Sequence, residues 1–331
     1  MPDLVLKIHH KTGGQHPAAP SLEARDVNRR EFARTLAGAA LSAAALPGGA
    51  AAAETEAQSS AKGIPFKLSV MLWTVYRDLP FEQRLEKVAE AGYQAVELVD
   101  EYKNWSTEEF RRVSLKVRSL NIVFDTIAQV KSGVADPGAR EAFLSDLNTL
   151  LPISEKLECP AIIVLSGNRV EGLSHDAQHQ SCVETLKRAG DLAGKRNVSL
   201  LLENIDPEEN PKYYLTSVAE GFEIVREVNH PRVKFLYDFY HEQISEGNLI
   251  KKLEKNIEEV GLVHIADVPG RHEPGTGEIN YPNIFRKLAQ LRYDRYAAME
   301  FIPTGDAVAS LRAAKDMALR AVSDYDQSRV P

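Results

Sequence analysis

The chain has 331 residues, 44% of them hydrophobic and 26% charged, with a formal charge of −7. That length suits one large α/β domain or two small ones, and an acidic balance with no basic patch excludes nucleic-acid binding as the main task. The two cysteines, Cys159 and Cys182, give neither a metal-ligand spacing nor a disulfide framework; both fall in apolar elements and are expected as buried thiols.

Residues 1–53 read as an N-terminal extension with an export signal, 54–65 as a linker, and 66–331 as the globular part. Asn28-Arg29-Arg30-Glu31-Phe32 is a twin-arginine signature. An apolar run of small residues follows from Leu36 to Leu46, and Ala51-Ala52-Ala53 before Glu54 offers a cleavage site. The order of charged, apolar and cleavage regions is complete, so the expected destination is the periplasm, by way of the twin-arginine export machinery. The apolar run falls well short of the ~20 residues a bilayer span needs, so no stable membrane anchor is expected.

From residue 66 apolar, β-leaning segments alternate with amphipathic ones. Strands are expected at Phe66–Trp73, Tyr93–Val99, Asn121–Val130, Ala161–Leu165, Val198–Leu202, Val233–Tyr237, Gly261–Ile265 and Tyr296–Phe301. Helices are expected at Phe81–Ala91, Thr107–Leu120, Ala139–Leu157, His175–Arg196, Ser217–Val228, Leu249–Ile257, Tyr281–Leu291 and Asp306–Val322. Eight such units match a (β/α)8 barrel, with a parallel sheet covered on its outer face. An open doubly wound sheet would want a glycine-rich phosphate turn after the first strand, and Trp73-Thr74-Val75-Tyr76 is nothing like one.

In such a barrel the chemistry sits at the C-terminal ends of the strands. The fifth strand ends in Glu203-Asn204 and the sixth in Asp238, with His241 three residues on. The seventh carries His264, and the eighth ends in Glu300. A carboxylate after a run of leucines is costly unless paired or bound to a cation, and three carboxylates converging on one rim raise one another's pKa. A divalent cation resolves that conflict. One nitrogen among carboxylates suits Mg²⁺ or Mn²⁺, with Co²⁺ and Zn²⁺ as further candidates. Taken singly each residue reads as a salt-bridged rim group; together they read as a metal site.

The segment from His264 to Tyr281 is too broken by Gly and Pro for a helix and too polar for core, so it reads as a rigid, charged loop at that rim. Other candidates stand alone. Glu97 ends the second strand and would contact substrate or pair with a lysine. Glu209, in the loop after Glu203, is a candidate substrate contact set against a solvated surface carboxylate. His175 and His179 share a helix face with no third ligand near them in sequence, and are expected at the surface. Trp73 and Trp105, near the first and second strand ends, would wall a pocket or pack in the core.

Leu201-Leu202-Glu203-Asn204-Ile205, Asp238-Phe239-Tyr240-His241 and the twelve residues from Gly270 to Tyr281 closely resemble hydroxypyruvate isomerases, members of the xylose-isomerase-like TIM barrels with ketose 3-epimerases as relatives. The likeness spans roughly residues 66–320. It implies Glu203, Asp238, His264 and Glu300 as metal ligands, and Glu203 and Glu300 as the pair that moves the proton. It implies His241 and Arg271 as groups that hold substrate oxygens. The implied reaction interconverts an α-hydroxyaldehyde and an α-hydroxyketone through an enediolate, as from hydroxypyruvate to tartronate semialdehyde. At the position of His264 hydroxypyruvate isomerases tend to have Gln and the 3-epimerases His, which makes epimerisation of a ketose the alternative. A non-catalytic, exported sugar-binding barrel is a third reading, opposed by the retention of both glutamates. Homo-oligomerisation is left open.

Overall fold

The computed structural model describes residues 63–129 and 132–327. The twin-arginine segment, its cleavage site and nearly all of the linker lie outside the described residues. Eight parallel strands close into a barrel in chain order: β1 (Lys67–Met71), β2 (Ala95–Leu98), β3 (Val123–Gln129), β4 (Ala161–Leu165), β5 (Ser199–Glu203), β6 (Val233–Asp238), β7 (Val260–Ile265) and β8 (Tyr296–Met299). The ring closes where Leu68 and Val70 of β1 pair with Ala297 and Met299 of β8. Around it run α1 (Phe81–Glu90), α2 (Thr107–Leu120), α3 (Arg140–Lys156), α4 (His175–Gly194), α5 (Val218–Val228), α6 (Phe239–Ser245), α7 (Leu249–Asn256), α8 (Tyr281–Gln290) and α9 (Ala307–Gln327).

The strands alternate between two apolar layers. Leu200 and Leu202 of β5 belong to the large layer packed under the helices, whereas Leu201 belongs to a smaller cluster with Met71, Ile163, Leu236, Leu262 and Ala298. Since successive strand residues face opposite sides, the smaller cluster fills the barrel lumen. The period of two then fixes what comes next. Glu203, Asp238, His264 and Glu300 each lie two positions beyond a lumen residue and so point into the barrel mouth.

Helix ends follow ordinary capping chemistry. At α2, Ser106 and Glu109 form a reciprocal capping box. Ser174, Ser217 and Asn280 cap α4, α5 and α8 through their side chains. Two expected strands start later than the apolar pattern implies. Asn121 takes the left-handed conformation that terminates α2, so β3 begins at Val123. Tyr93 is outside β2, its hydroxyl donating to Leu311 O at 2.8 Å. The short helix α6 was not expected. It starts at the end of β6, where the Asp238 side chain accepts from Tyr240 N at 2.7 Å.

Cys159 and Cys182 are free and buried, and burial pushes both thiols above the ordinary range. Neither should react with a disulfide reagent such as DTNB at pH 8 in the native protein, and both should react after unfolding in guanidinium. Rapid titration of one thiol under native conditions would contradict the packing of β4 or α4.

Candidate active site

The mouth of the lumen collects the four strand-end residues. One atom from each of Glu203, Asp238, His264 and Glu300 lies within 4.8 Å of the other three, and all four residues are buried. His264 Nδ1 is the hub: it is 2.7 Å from Glu300 Oε2, 3.4 Å from Glu203 Oε1 and 3.9 Å from Asp238 Oδ2. Despite that proximity, His264 Nδ1 and Asp238 Oδ2 make no hydrogen bond of acceptable geometry. Asp238 Oδ1 is occupied as the cap of α6, which leaves Oδ2 turned toward the cluster. Buried polar atoms without partners are rare and costly, and here two of them face the same point.

The charges around that point are unequal. Burial opposes a charged His264, but the carboxylates of Glu300 and Glu97 outweigh it and hold its pKa well above the usual imidazole range. Burial raises Glu203, with the partial offset of His264. Glu300 goes the other way: burial is overcome by Arg271 and His264, and its carboxyl is held well below the ordinary range.

Arg271 supplies much of that asymmetry. Its Nη2 donates to Glu300 Oε2 at 2.8 Å and its Nη1 to Glu209 Oε2 at 2.7 Å. The guanidinium lies between two rings, 5.3 Å from the Trp73 centroid and 4.8 Å from that of Tyr240. The segment carrying it is rigid. Asp267, fully buried, accepts from the backbone N–H groups of Val268, Gly275, Gly277 and Ile279 at 2.9–3.0 Å. Glycine is required at 277, where a Cβ would fall 2.0 Å from Val268 O. Arg271 itself has φ of 57°, and its carbonyl accepts from Ile302 N at 2.7 Å.

His241, on α6, reaches the same region. Its Nδ1 is 2.6 Å from Asp206 Oδ2 and its Nε2 is 3.4 Å from Asp238 Oδ2. Burial disfavours the charged ring, but Asp238 and Asp206 raise its pKa. Glu209, weighed above as a substrate contact or a solvated carboxylate, is held by Arg271 at the edge of the site, its side chain 26% exposed.

The fold thus brings together all seven residues singled out from the strand ends and their loops: Glu203, Glu209, Asp238, His241, His264, Arg271 and Glu300. Three others complete the site, and of these only Asp206 went unread in the sequence. Trp73 walls the site as one of its two expected roles, and also donates its indole N–H to Glu300 Oε1 at 2.8 Å. Asp206 was not singled out; its spacing from Glu203 gave no signal. Glu97 pairs with His264 and not with a lysine, His264 Nε2 lying 3.0 Å from Glu97 Oε2. Trp105, by contrast, is packing only, edge-on to Phe81 and Phe110. His179 is not a free surface group; with His175 it pairs to Glu220, and its other nitrogen faces Glu227.

Comparison with known proteins agrees with this geometry. The model of the family described as xylose isomerase-like TIM barrel matches residues 85–318. The chain is 31% identical to a 2-oxo-tetronate isomerase of Haemophilus influenzae over 74% of its own length and 96% of the relative's. It is 30% identical to the hydroxypyruvate isomerase of Escherichia coli K12 over 74% and 97% of the two chains. Among solved structures, one described as an AP endonuclease, family 2, from Brucella melitensis superposes with a TM-score of 0.69 at 27% identity, covering 74% of this chain and 96% of that one.

Arg271 neutralises an otherwise anionic mouth, so its loss should be felt in the metal-free protein. Arg271→Leu should destabilise it by about 3–5 kcal/mol at pH 7, the usual result of removing one partner of a buried ion pair. Because Glu300 is depressed in the folded state, its stabilising contribution is present above the ordinary carboxylate pKa and lost as pH falls through the depressed value. The variant lacks that contribution, so its deficit should shrink between pH 7 and about pH 3, chiefly below the ordinary carboxylate pKa of about 4.3. Urea unfolding at both pH values measures this; a deficit independent of pH would count against the pairing.

Proposed function

Given that the chain belongs to the xylose isomerase-like TIM barrels and is an isomerase among them, we propose that it is divalent-metal dependent and acts on a short hydroxylated 2-oxo acid such as hydroxypyruvate or 2-oxo-tetronate. The observation that carries the metal dependence is the four-residue cluster, in which Asp238 Oδ2 and His264 Nδ1 are buried without a well-formed hydrogen bond. Glu203, Asp238, His264 and Glu300 would hold the ion. This donor set fits Mg²⁺ or Mn²⁺, and one imidazole keeps Co²⁺ and Zn²⁺ in play. A bound divalent cation supplies Lewis-acid polarisation of the substrate's carbonyl.

The remaining work falls to the chain's own groups. Glu203 and Glu300 approach the mouth from β5 and from the end of β8, with Asp238 and His264 on the strands between them. Their carboxyls are pushed in opposite directions, up for Glu203 by burial and down for Glu300 by Arg271 and His264. A pair of acids with separated proton affinities suits a reaction in which one takes a proton from carbon and the other delivers one to the neighbouring carbon. His241, with Nδ1 held by Asp206, presents Nε2 to a substrate oxygen. Arg271 gives three of its five N–H groups to Glu300 and Glu209. The other two suit a substrate carboxylate, and Trp73 and Tyr240 cover the guanidinium and exclude water from it.

Epimerisation of a ketose at C3 is the second reading, favoured by His264 in place of glutamine. It uses the same residues and differs in returning the proton to the opposite face of the same carbon. The export of the chain through its twin-arginine segment is also part of the proposal, and places the enzyme in the periplasm.

Chelated protein should be inactive and regain activity with Mn²⁺ or Mg²⁺ when assayed on hydroxypyruvate, 2-oxo-tetronate and a panel of ketoses. Glu203→Gln and Glu300→Gln should each lower kcat by about 10²–10⁴-fold, the usual range for a lost acid or base, with the circular dichroism spectrum unchanged. Metal binding without turnover of any of these substrates, or near-wild-type rates in either variant, would sink the assignment. Separately, replacing Arg29 and Arg30 by lysines should retain the protein in the cytoplasm on cell fractionation; unchanged export would remove the twin-arginine reading.

A further inference from the structure

Behind the four-residue cluster the lumen holds a second row of polar side chains that the proposed chemistry leaves unused. Glu97 on β2 is fully buried, and its Oε2 is 3.0 Å from His264 Nε2, the ring nitrogen turned away from the cluster. Beneath it lies Asp125, 1% exposed, which accepts from Ser69 Oγ at 2.6 Å. Asp125 owes its place to an irregularity in β3. Val96 pairs with Phe124 and Glu97 with Thr126, so Asp125 is an extra residue opposite that step. A bulge of this kind re-aims a side chain, and here it sets a carboxyl against Glu97 inside the barrel.

Glu97 Oε1 and Asp125 Oδ2 are both buried and find no hydrogen-bond donor among the described residues. The bulge turns Asp125 into the lumen beside Glu97, and the Glu97 carboxylate pushes the Asp125 carboxyl up. Two carboxylates side by side within a dry lumen do not both ionise. Burial and the adjacent Glu97 hold Asp125 well above the ordinary carboxylate range. Glu97 thus stands between His264 on one side and the Asp125–Ser69 pair on the other.

We infer that Glu97 is a positioning residue for His264: its carboxylate accepts the Nε2–H and so turns Nδ1 toward the point among Glu203, Asp238 and Glu300 where a cation would be held, while Asp125 and Ser69 brace Glu97 from below. A ligating histidine commonly gives its other N–H to a carboxylate, which fixes the tautomer and ring orientation. The row Ser69–Asp125–Glu97–His264 does this from three strands remote in sequence. The inference rests on the metal reading of the site given above.

The test uses the full chain freed of metal and titrated with Mn²⁺ by calorimetry. Glu97→Ala should weaken Mn²⁺ binding about 10–100-fold, the usual cost of losing a partner of this kind. Asp125→Asn keeps an N–H donor for Glu97 and an acceptor for Ser69, and should bind Mn²⁺ nearly as well as the wild type, whereas Asp125→Ala should bind more weakly. In ¹⁵N-histidine spectra of the Zn²⁺-loaded wild type, His264 should carry its proton on Nε2. A purely structural role would lower the unfolding midpoint of the variants and leave the Mn²⁺ Kd of the folded protein unchanged; that result overturns the inference. So would a proton on Nδ1 in the wild-type spectrum, a readout that survives if Glu97→Ala fails to fold. Equal losses in Asp125→Asn and Asp125→Ala would remove Asp125 from the row. If the wild type binds no Mn²⁺, the metal reading itself has failed; if it binds and Glu97→Ala binds equally well, only the present inference has.

Discussion

Three carboxylates and an imidazole share one end of a lumen whose apolar lining includes Met71, Ile163, Leu201, Leu236, Leu262 and Ala298. Taking like charges out of water and setting them against one another is costly. The surroundings are arranged against it. Arg271 reaches over from the loop after β7 to Glu300 and Asp238. Glu97 and Asp125 stabilise the far side of His264, and Asp206 holds His241. Each of these partners is itself buried and hydrogen-bonded, so the conflict at the mouth is distributed outward rather than cancelled by one counter-ion.

The loop between β7 and α8 is the most constrained part of that arrangement. One buried carboxylate, Asp267, gathers four backbone N–H groups from residues 268–279, and Tyr281 closes the segment by exchanging hydrogen bonds with the backbone of Ala266. A loop tied at that density cannot adjust cheaply, so the position of Arg271 is set by the backbone and not by its own flexible stem. That rigidity explains why a long, glycine-rich, charged segment follows the seventh strand: the glycines allow the close approach, and Asp267 collects the freed amides.

Much of this was legible because it follows from a period of two. Once β5 to β8 were recognised as buried strands, the side chains two residues beyond Leu201, Leu236, Leu262 and Ala298 had to face the lumen, and those are Glu203, Asp238, His264 and Glu300. What escaped notice depends on pairing across the barrel. Glu97 meets His264 across 167 positions of sequence, and Trp73 meets Glu300 across 227; no local pattern carries such a contact. Asp125 was hidden for another reason. A bulge shifts register by one residue, and strict alternation then gives no indication of the direction in which the extra side chain points. Helix α6 was missed because it is short and is started by Asp238, a residue already read as a strand end.

The same cross-barrel partners bear on how two chemically identical side chains come to differ. Glu203 and Glu300 both project into the mouth and both touch His264, yet only Glu300 receives Arg271 and the indole of Trp73. Glu203 has no cationic side chain besides the two histidines among the causes of its shift, so burial dominates and its carboxyl rises. The asymmetry is therefore a property of the β7–α8 loop and of the turn after β1, which supply Arg271 and Trp73 to Glu300, and not of the glutamates. On the proposed reading, in which a proton passes between two carbons or two faces, that difference gives direction: the carboxyl tied to Arg271 stays ionised, and the one across the mouth is readier to hold the proton.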